Sequence, residues 1–215
     1  MKLVLARHGN TFESEQPAYY VGSQQDIPLV ALGHTQAARL GQALAQQCPD
    51  LTAMYTGPLK RMIVTAQLAL AAMRSPLHSQ VDSRLNELDY GCWSGLTSQE
   101  VKHRFGPHDY ENWERLSQWP AQAGWGESEA AVIARIQDFV ADIVMRHAEA
   151  EQVCVVGSNG CLRYFLTLVP GAFQSHVTQQ QMKIATGHVC QFSYHQDQWT
   201  LDAWNQSPDV WLNRS

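Results

Sequence analysis

Lys2-Leu3-Val4-Leu5-Ala6-Arg7-His8-Gly9 is the stretch that decides the fold. A short apolar run that breaks at Arg7 predicts a buried β-strand over residues 2–6 opening into a loop. In open α/β sheets, ligands gather outside the carboxyl ends of the strands. Here that end carries a fixed cation, a nitrogen nucleophile and a glycine in consecutive positions. The set suits a phosphoryl group: Arg7 to clamp its oxygens, His8 to attack, Gly9 to admit close backbone approach.

Outward from this strand, apolar strand-like runs alternate with helical ones, which predicts an α/β domain with a mostly parallel sheet. Helices are expected over 33–47, with Ala37, Leu40 and Leu44 on one face, and from Pro58 to about residue 74, capped by Thr56. The clearest helix is 127–149, where Val132, Ile136, Phe139, Val140 and Ile143 form an apolar stripe. Strands are expected at 52–56, 80–83 and 152–156, a helix at 160–168, and a closing antiparallel pair at 188–195 and 198–203. Residues 90–126 lack clean periodicity at first and hold four of the seven tryptophans. They read either as a lid or side wall, or as tryptophans covering an apolar flank.

The 215 residues suffice for one domain, 1–215, with a sizeable core. With 45% hydrophobic and 16% charged residues, disorder is not expected. A net charge of −5 without a basic block argues against nucleic acid as the main partner. No transmembrane run or signal-peptide pattern stands out, so no membrane partner is expected. Five cysteines without a CxxC pair fit a reducing cytoplasm, and neither they nor the histidines have zinc-ligand spacing.

Three further pieces carry chemistry. Arg61 falls in the first turn of a helix, where backbone N–H groups already favour an anion, although alone it reads as surface solvation. Glu87, after a short strand, is either a proton donor or an ordinary salt-bridging glutamate. The turn Gly157-Ser158-Asn159-Gly160 between a strand and a helix is an anion-binding concavity or a plain connection.

Together the pieces resemble the histidine phosphatase superfamily, the phosphoglycerate-mutase-like enzymes. Arg7-His8-Gly9 matches the hallmark RHG. Asp26-Ile27-Pro28-Leu29, continuing to Gly33, Gln36 and Ala37, is similar to D-x-P-L-T-x-x-G-x-x-Q-A. Pro58-Leu59-Lys60-Arg61 with Thr65-Ala66 resembles S-P-L-x-R-A-x-x-T-A, and Leu85-Asn86-Glu87 with Gly91-Cys92-Trp93-Ser94-Gly95 resembles L-x-E…G-x-W-E-G. Gly126-Glu127-Ser128 and Arg135 are similar to G-E-S…R.

The resemblance implies a three-layer α/β/α sandwich and a cofactor-independent phosphatase, with no metal or organic cofactor, acting on a small phosphorylated metabolite. His8 would form a phosphohistidine, Arg7 and Arg61 would hold the phosphoryl oxygens, and Glu87 would donate the proton. Ser14, Gly22, Ser23, Ser158 and Asn159 fall at substrate-binding positions. One departure matters: Ser158 stands where the family carries a second histidine. A neutral donor there implies slower turnover, or a phospho-ligand-binding pseudo-enzyme without turnover. His188 is the one nearby candidate to compensate. A mutase is the weaker reading, because known mutases of the family carry longer insertions. Oligomeric state and substrate identity are not legible.

Overall fold

The structure, a computed structural model, describes residues 1–149 and 151–213. In chain order it comprises β1 (Lys2–Arg7), α1 (Ala31–Gln47), β2 (Leu51–Thr56), α2 (Lys60–Met73) and β3 (Ser79–Val81). The excursion follows with α3 (Ser98–Phe105) and α4 (Pro107–Leu116), then α5 (Glu129–Arg146), β4 (Gln152–Gly157) and α6 (Asn159–Leu162). A 3-10 turn (Arg163–Leu168), α7 (Ala172–Thr178), β5 (Val189–His195), β6 (Gln198–Gln206) and α8 (Asp209–Leu212) complete the order.

The six strands form one sheet in the order β3-β2-β4-β1-β5-β6. The first four are mutually parallel, and β5 and β6 are antiparallel additions at one side. Side chains alternate across the pleat and so divide the core in two. Val4, Ala6, Met54, Cys154 and Val156 face α1, α2 and Trp211 of α8. Leu3, Leu5, Tyr55, Val153 and Val155 face α5 and the 163–168 turn. The result is the expected three-layer α/β/α architecture with a mostly parallel central sheet. The stripe on α5 is buried as its periodicity predicts, each such side chain contributing about 1.5–3 kcal/mol relative to exposure.

Helix starts differ from the sequence expectation. Thr56 does not cap α2: it is the last residue of β2 and its hydroxyl donates to the Gly57 carbonyl. The helix begins at Lys60, whose N–H is taken by Asp26 Oδ1 at 2.7 Å from a distant loop. α5 begins at Glu129, two residues later than expected, with Ser128, one of the two residues expected near its start, as its cap (Oγ accepting from the Ala131 N–H); the other, Glu127, pairs with Arg135. The expected helix over 160–168 is one short α turn continued as 3-10.

The excursion packs its tryptophans together and also contributes residues to a cavity. Trp93 and Trp113 are fully buried, and Trp125 meets Trp93, Trp113 and Trp119 edge-on at 4.6–5.5 Å between ring centres. From that packed base α3 and α4 send Ser98, Tyr110, Trp113 and Glu114 to the wall of a cavity above the carboxyl end of β1.

Candidate active site

β1 and β4 pair in register, Arg7 opposite Gly157, so the loops that follow them open side by side. The His8 N–H donates to the Gly157 carbonyl at 3.0 Å and ties the two loops together. The Gly9 N–H donates to Thr65 Oγ1, whose own hydroxyl donates to the Arg61 carbonyl at 2.7 Å. The histidine loop is thereby fastened to the first turns of α2. Gly9 is needed for a further reason: a Cβ there would overlap the backbone of Gly33 in α1.

His8 is 5% exposed and lines the cavity, which has a volume of about 520 Å³. Its Nδ1 lies 2.7 Å from the Gly9 carbonyl. A carbonyl can only accept, so Nδ1 carries the proton and Nε2 keeps its lone pair. Burial first, and then the charges of Arg7 and Arg61, hold this imidazole well below its ordinary value of 6.5. His8 is therefore neutral at pH 7, the state a nucleophile requires.

Both flanking arginines are aimed by backbone carbonyls. Arg61, 2% exposed, donates from Nη2 to Gly22 at 2.9 Å and from Nη1 to Gln25 at 3.0 Å. Arg7 donates from Nη1 to Ile184 at 2.5 Å, while its buried Nε has no partner among the described residues. Burial lowers both guanidinium pKa values, countered in part by Glu87. Glu87 is itself clasped by main-chain N–H groups. Oε1 accepts from Leu88 and Cys161, at 2.9 and 3.0 Å, and Oε2 from Gly160 at 3.2 Å. Glu87 lines the same cavity.

Of the other sequence-predicted residues, Ser14, Gly22 and Asn159 line the cavity too. Gly22 has φ +63° and offers its carbonyl to Arg61, and Asn159 Oδ1 accepts from the Ile184 N–H at 2.8 Å. Ser23 and Ser158 are not on the cavity wall. Ser23 uses its N–H on the Leu88 carbonyl. Ser158 is 1% exposed, begins α6, and its buried hydroxyl has no partner among the described residues. His188 turns away: its Nδ1 meets the Asn205 carbonyl at 3.1 Å, and it does not reach the cavity. Sequence reasoning missed Asn10, Tyr90, Arg163, Lys183 and Thr186, which line it. Of these, Arg163 follows the 157–160 turn by three residues, but nothing in its local sequence assigned it a role.

The family model of the histidine phosphatase superfamily (branch 1) matches residues 3–207. The chain belongs to this superfamily. A 2,3-bisphosphoglycerate-dependent phosphoglycerate mutase of Methylorubrum extorquens is 31% identical over 187 residues, covering 86% of this chain and 85% of the relative. The same-named protein of Brucella ovis is 29% identical over 182 residues, or 84% and 86% of the two chains. Among solved structures, mycobacterial glucosyl-3-phosphoglycerate phosphatase in complex with VO3 superposes with a TM-score of 0.80 at 27% identity, covering 96% of this chain and 99% of that one. An alpha-ribazole phosphatase of Shigella flexneri shares the fold, with a TM-score of 0.74 at 22% identity over 96% of both chains. No helix of the described residues is long and apolar enough to cross a membrane.

Proposed function

We propose that this chain is a cofactor-independent phosphatase of a small phosphorylated metabolite, working through a phosphohistidine on His8. The observation that carries the reading is the seating of His8: neutral, buried, Nδ1–H committed to the Gly9 carbonyl, and sharing its cavity with Arg7 and Arg61, neither of which has a carboxylate within 4.0 Å among the described residues. The Nε2 lone pair attacks phosphorus, the bond to the leaving oxygen breaks, and Glu87 gives that oxygen its proton. Water then attacks phosphorus, the P–N bond breaks, and the Glu87 carboxylate takes the water's proton. Arg7 and Arg61 stabilise the equatorial oxygens as charge builds.

Ser158, taken to stand where the second histidine is expected, supplies at most a neutral donor. Losing a charge-assisted donor from such a site costs on the order of a hundred- to a thousand-fold in rate. The unpartnered Ser158 hydroxyl thus also favours a second reading, a binding protein for phosphorylated ligands that turns nothing over. The mutase reading draws on the relatives named phosphoglycerate mutases. The insertion argument against it loses its force, since the alignment covers 86% of this chain and 85% of the relative, leaving the two nearly equal in length.

Incubation with an aryl phosphate, followed by acid quenching, tests the reading. Turnover with acid-labile phosphate on His8 is expected. No release and no labelling across a broad pH range would reject the phosphatase and leave the binding protein. Transfer of phosphate to added phosphoglycerate in preference to water would favour the mutase.

A further inference from the structure

Arg163 is a charge that the fold buries without neutralising. It is 4% exposed, yet among the described residues no carboxylate lies within 4.0 Å of it. The arginines that do pair with carboxylates, Arg39, Arg84, Arg135 and Arg146, lie outside the cavity. The three that line it, Arg7, Arg61 and Arg163, have no carboxylate within 4.0 Å among the described residues. A buried cation without a counter-charge is strongly unfavourable unless something compensates it. Two of these cations serve one phosphoryl group; the third has no assigned use.

The surroundings brace Arg163 rather than neutralise it. Its guanidinium carbon sits 4.2 Å from the centre of the Trp113 ring, which covers one face. Nη1 donates to Ser117 Oγ at 3.0 Å, and Nε makes a long contact of 3.4 Å to the Asn159 carbonyl. Nη2 has no partner among the described residues. Ser117 is a serine at φ +54°, a left-handed position where glycine is favoured. Its hydroxyl is the side-chain feature spent on the arginine. The one carboxylate that α4 brings to this wall, Glu114, already accepts from the Tyr20 hydroxyl at 2.8 Å. Lys183 adds a further cation to the rim.

We propose that Arg163, stacked on Trp113 and steered by Ser117, recognises a second anionic group of the substrate, a carboxylate or a further phosphate. The cavity then selects phosphorylated acids over phosphorylated neutral alcohols. This rests on the reading that the phosphoryl group sits at His8. A planar guanidinium with one edge free suits a carboxylate or phosphate oxygen pair better than an ammonium would.

Equilibrium binding of non-hydrolysable ligands tests this independently of turnover. Titration calorimetry would compare 3-phosphonopropanoate with 3-hydroxypropylphosphonate, which differ only in carboxylate against hydroxyl. Propane-1,3-diylbisphosphonate tests a second phosphate. The whole protein should bind at least one of the two ligands with an anionic tail about tenfold or more tightly than the alcohol, the scale of a charge-assisted hydrogen bond. Which of the two wins identifies the group. Arg163→Gln should collapse that ratio toward one, and Ser117→Ala, which keeps the charge but frees its orientation, should shrink it several-fold. Equal affinity for the alcohol and both anionic-tailed ligands in the unaltered protein overturns the proposal, as does failure to bind any of the three. So does a folded Arg163→Gln that weakens all ligands alike. If Arg163→Gln does not fold, the ratio in the unaltered protein and its change in Ser117→Ala decide. Binding with selectivity but without hydrolysis of any ester would sustain this proposal while rejecting the phosphatase.

Discussion

The loops after β1 and β4 leave neighbouring parallel strands at the same level, yet they equip the cavity in opposite ways. After β1, side chains carry the chemistry: Arg7 and His8 face the cavity and the backbone serves to anchor them. After β4, the backbone carries it: the Gly160 and Cys161 amides grip Glu87, while the Ser158 hydroxyl is left without a partner. One loop supplies a cation and a neutral imidazole; the other supplies dipoles and orientation. The shape of a phosphoryl site is thus retained on both sides, but its electrostatics lean to one.

The sharpest way to break this asymmetry is Ser158→His. Restoring a cationic donor should raise aryl phosphate turnover on the order of a hundred- to a thousand-fold. If steady-state rates stay flat in a folded variant, the post-β4 side chain has no part in turnover. Gly160→Ala probes the backbone half of the comparison. A methyl there would overlap Glu87 Oε1 and the Tyr90 hydroxyl, so the carboxylate must move. Turnover should fall by about a hundredfold, the scale of a general acid, with about 1–3 kcal/mol lost from denaturant unfolding by overpacking. Unchanged kinetics would mean that Glu87 does not need its amide cradle.

Acidification separates the two loops next. The folded pKa of His8 lies well below its unfolded value, chiefly through burial. Between the two values the unfolded chain binds more protons. His8's contribution to stability is therefore complete above about pH 6.5 and is lost as pH falls toward the folded value. Melting curves of the intact protein should drop more steeply below about pH 6.5 than those of His8→Gln. Parallel curves would contradict the buried neutral imidazole. The smallest effect is expected from Asp26→Ala, which removes the remote cap of α2. It should cost about 1 kcal/mol and weaken phosphate binding modestly, because Arg61 sits in that first turn. A change within about 0.3 kcal/mol would show the cap to be replaceable by water.

Much of this was legible along the chain, and the exceptions share a cause. The apolar run before Arg7, the α5 stripe and the antiparallel closing pair follow from periodicity, which is local. Which side chain caps α2 is not local: Asp26 precedes Lys60 by 34 residues, so the nearer Thr56 took the assignment. Likewise Glu87 meets amides 73 and 74 residues further on, and Arg163 meets Ser117 46 residues back. His188 takes the Arg7 N–H on its carbonyl, just before β5 begins, but its ring Nδ1 meets the Asn205 carbonyl and not the cavity. Of the excursion's four tryptophans, which pack against one another, Trp113 alone lines the cavity, a placement that periodicity could not give.

The contact of Arg7 with Ile184 has a bearing on when the site comes into being. The residue beside the nucleophile is synthesised almost first, but its guanidinium is aimed by a carbonyl 177 positions later. The Gly187 N–H also returns to the Arg7 carbonyl, and β5 pairs along the length of β1. A nascent chain that has already folded β1 to β4 holds Arg7, His8, Arg61 and Glu87 yet lacks Lys183 and Thr186 of the cavity wall and the carbonyl that points Arg7. On the proposed function, phosphate recognition is thereby deferred to the last stretch of translation, and a chain that stops short of Ile184 is expected to stay silent toward phosphate esters.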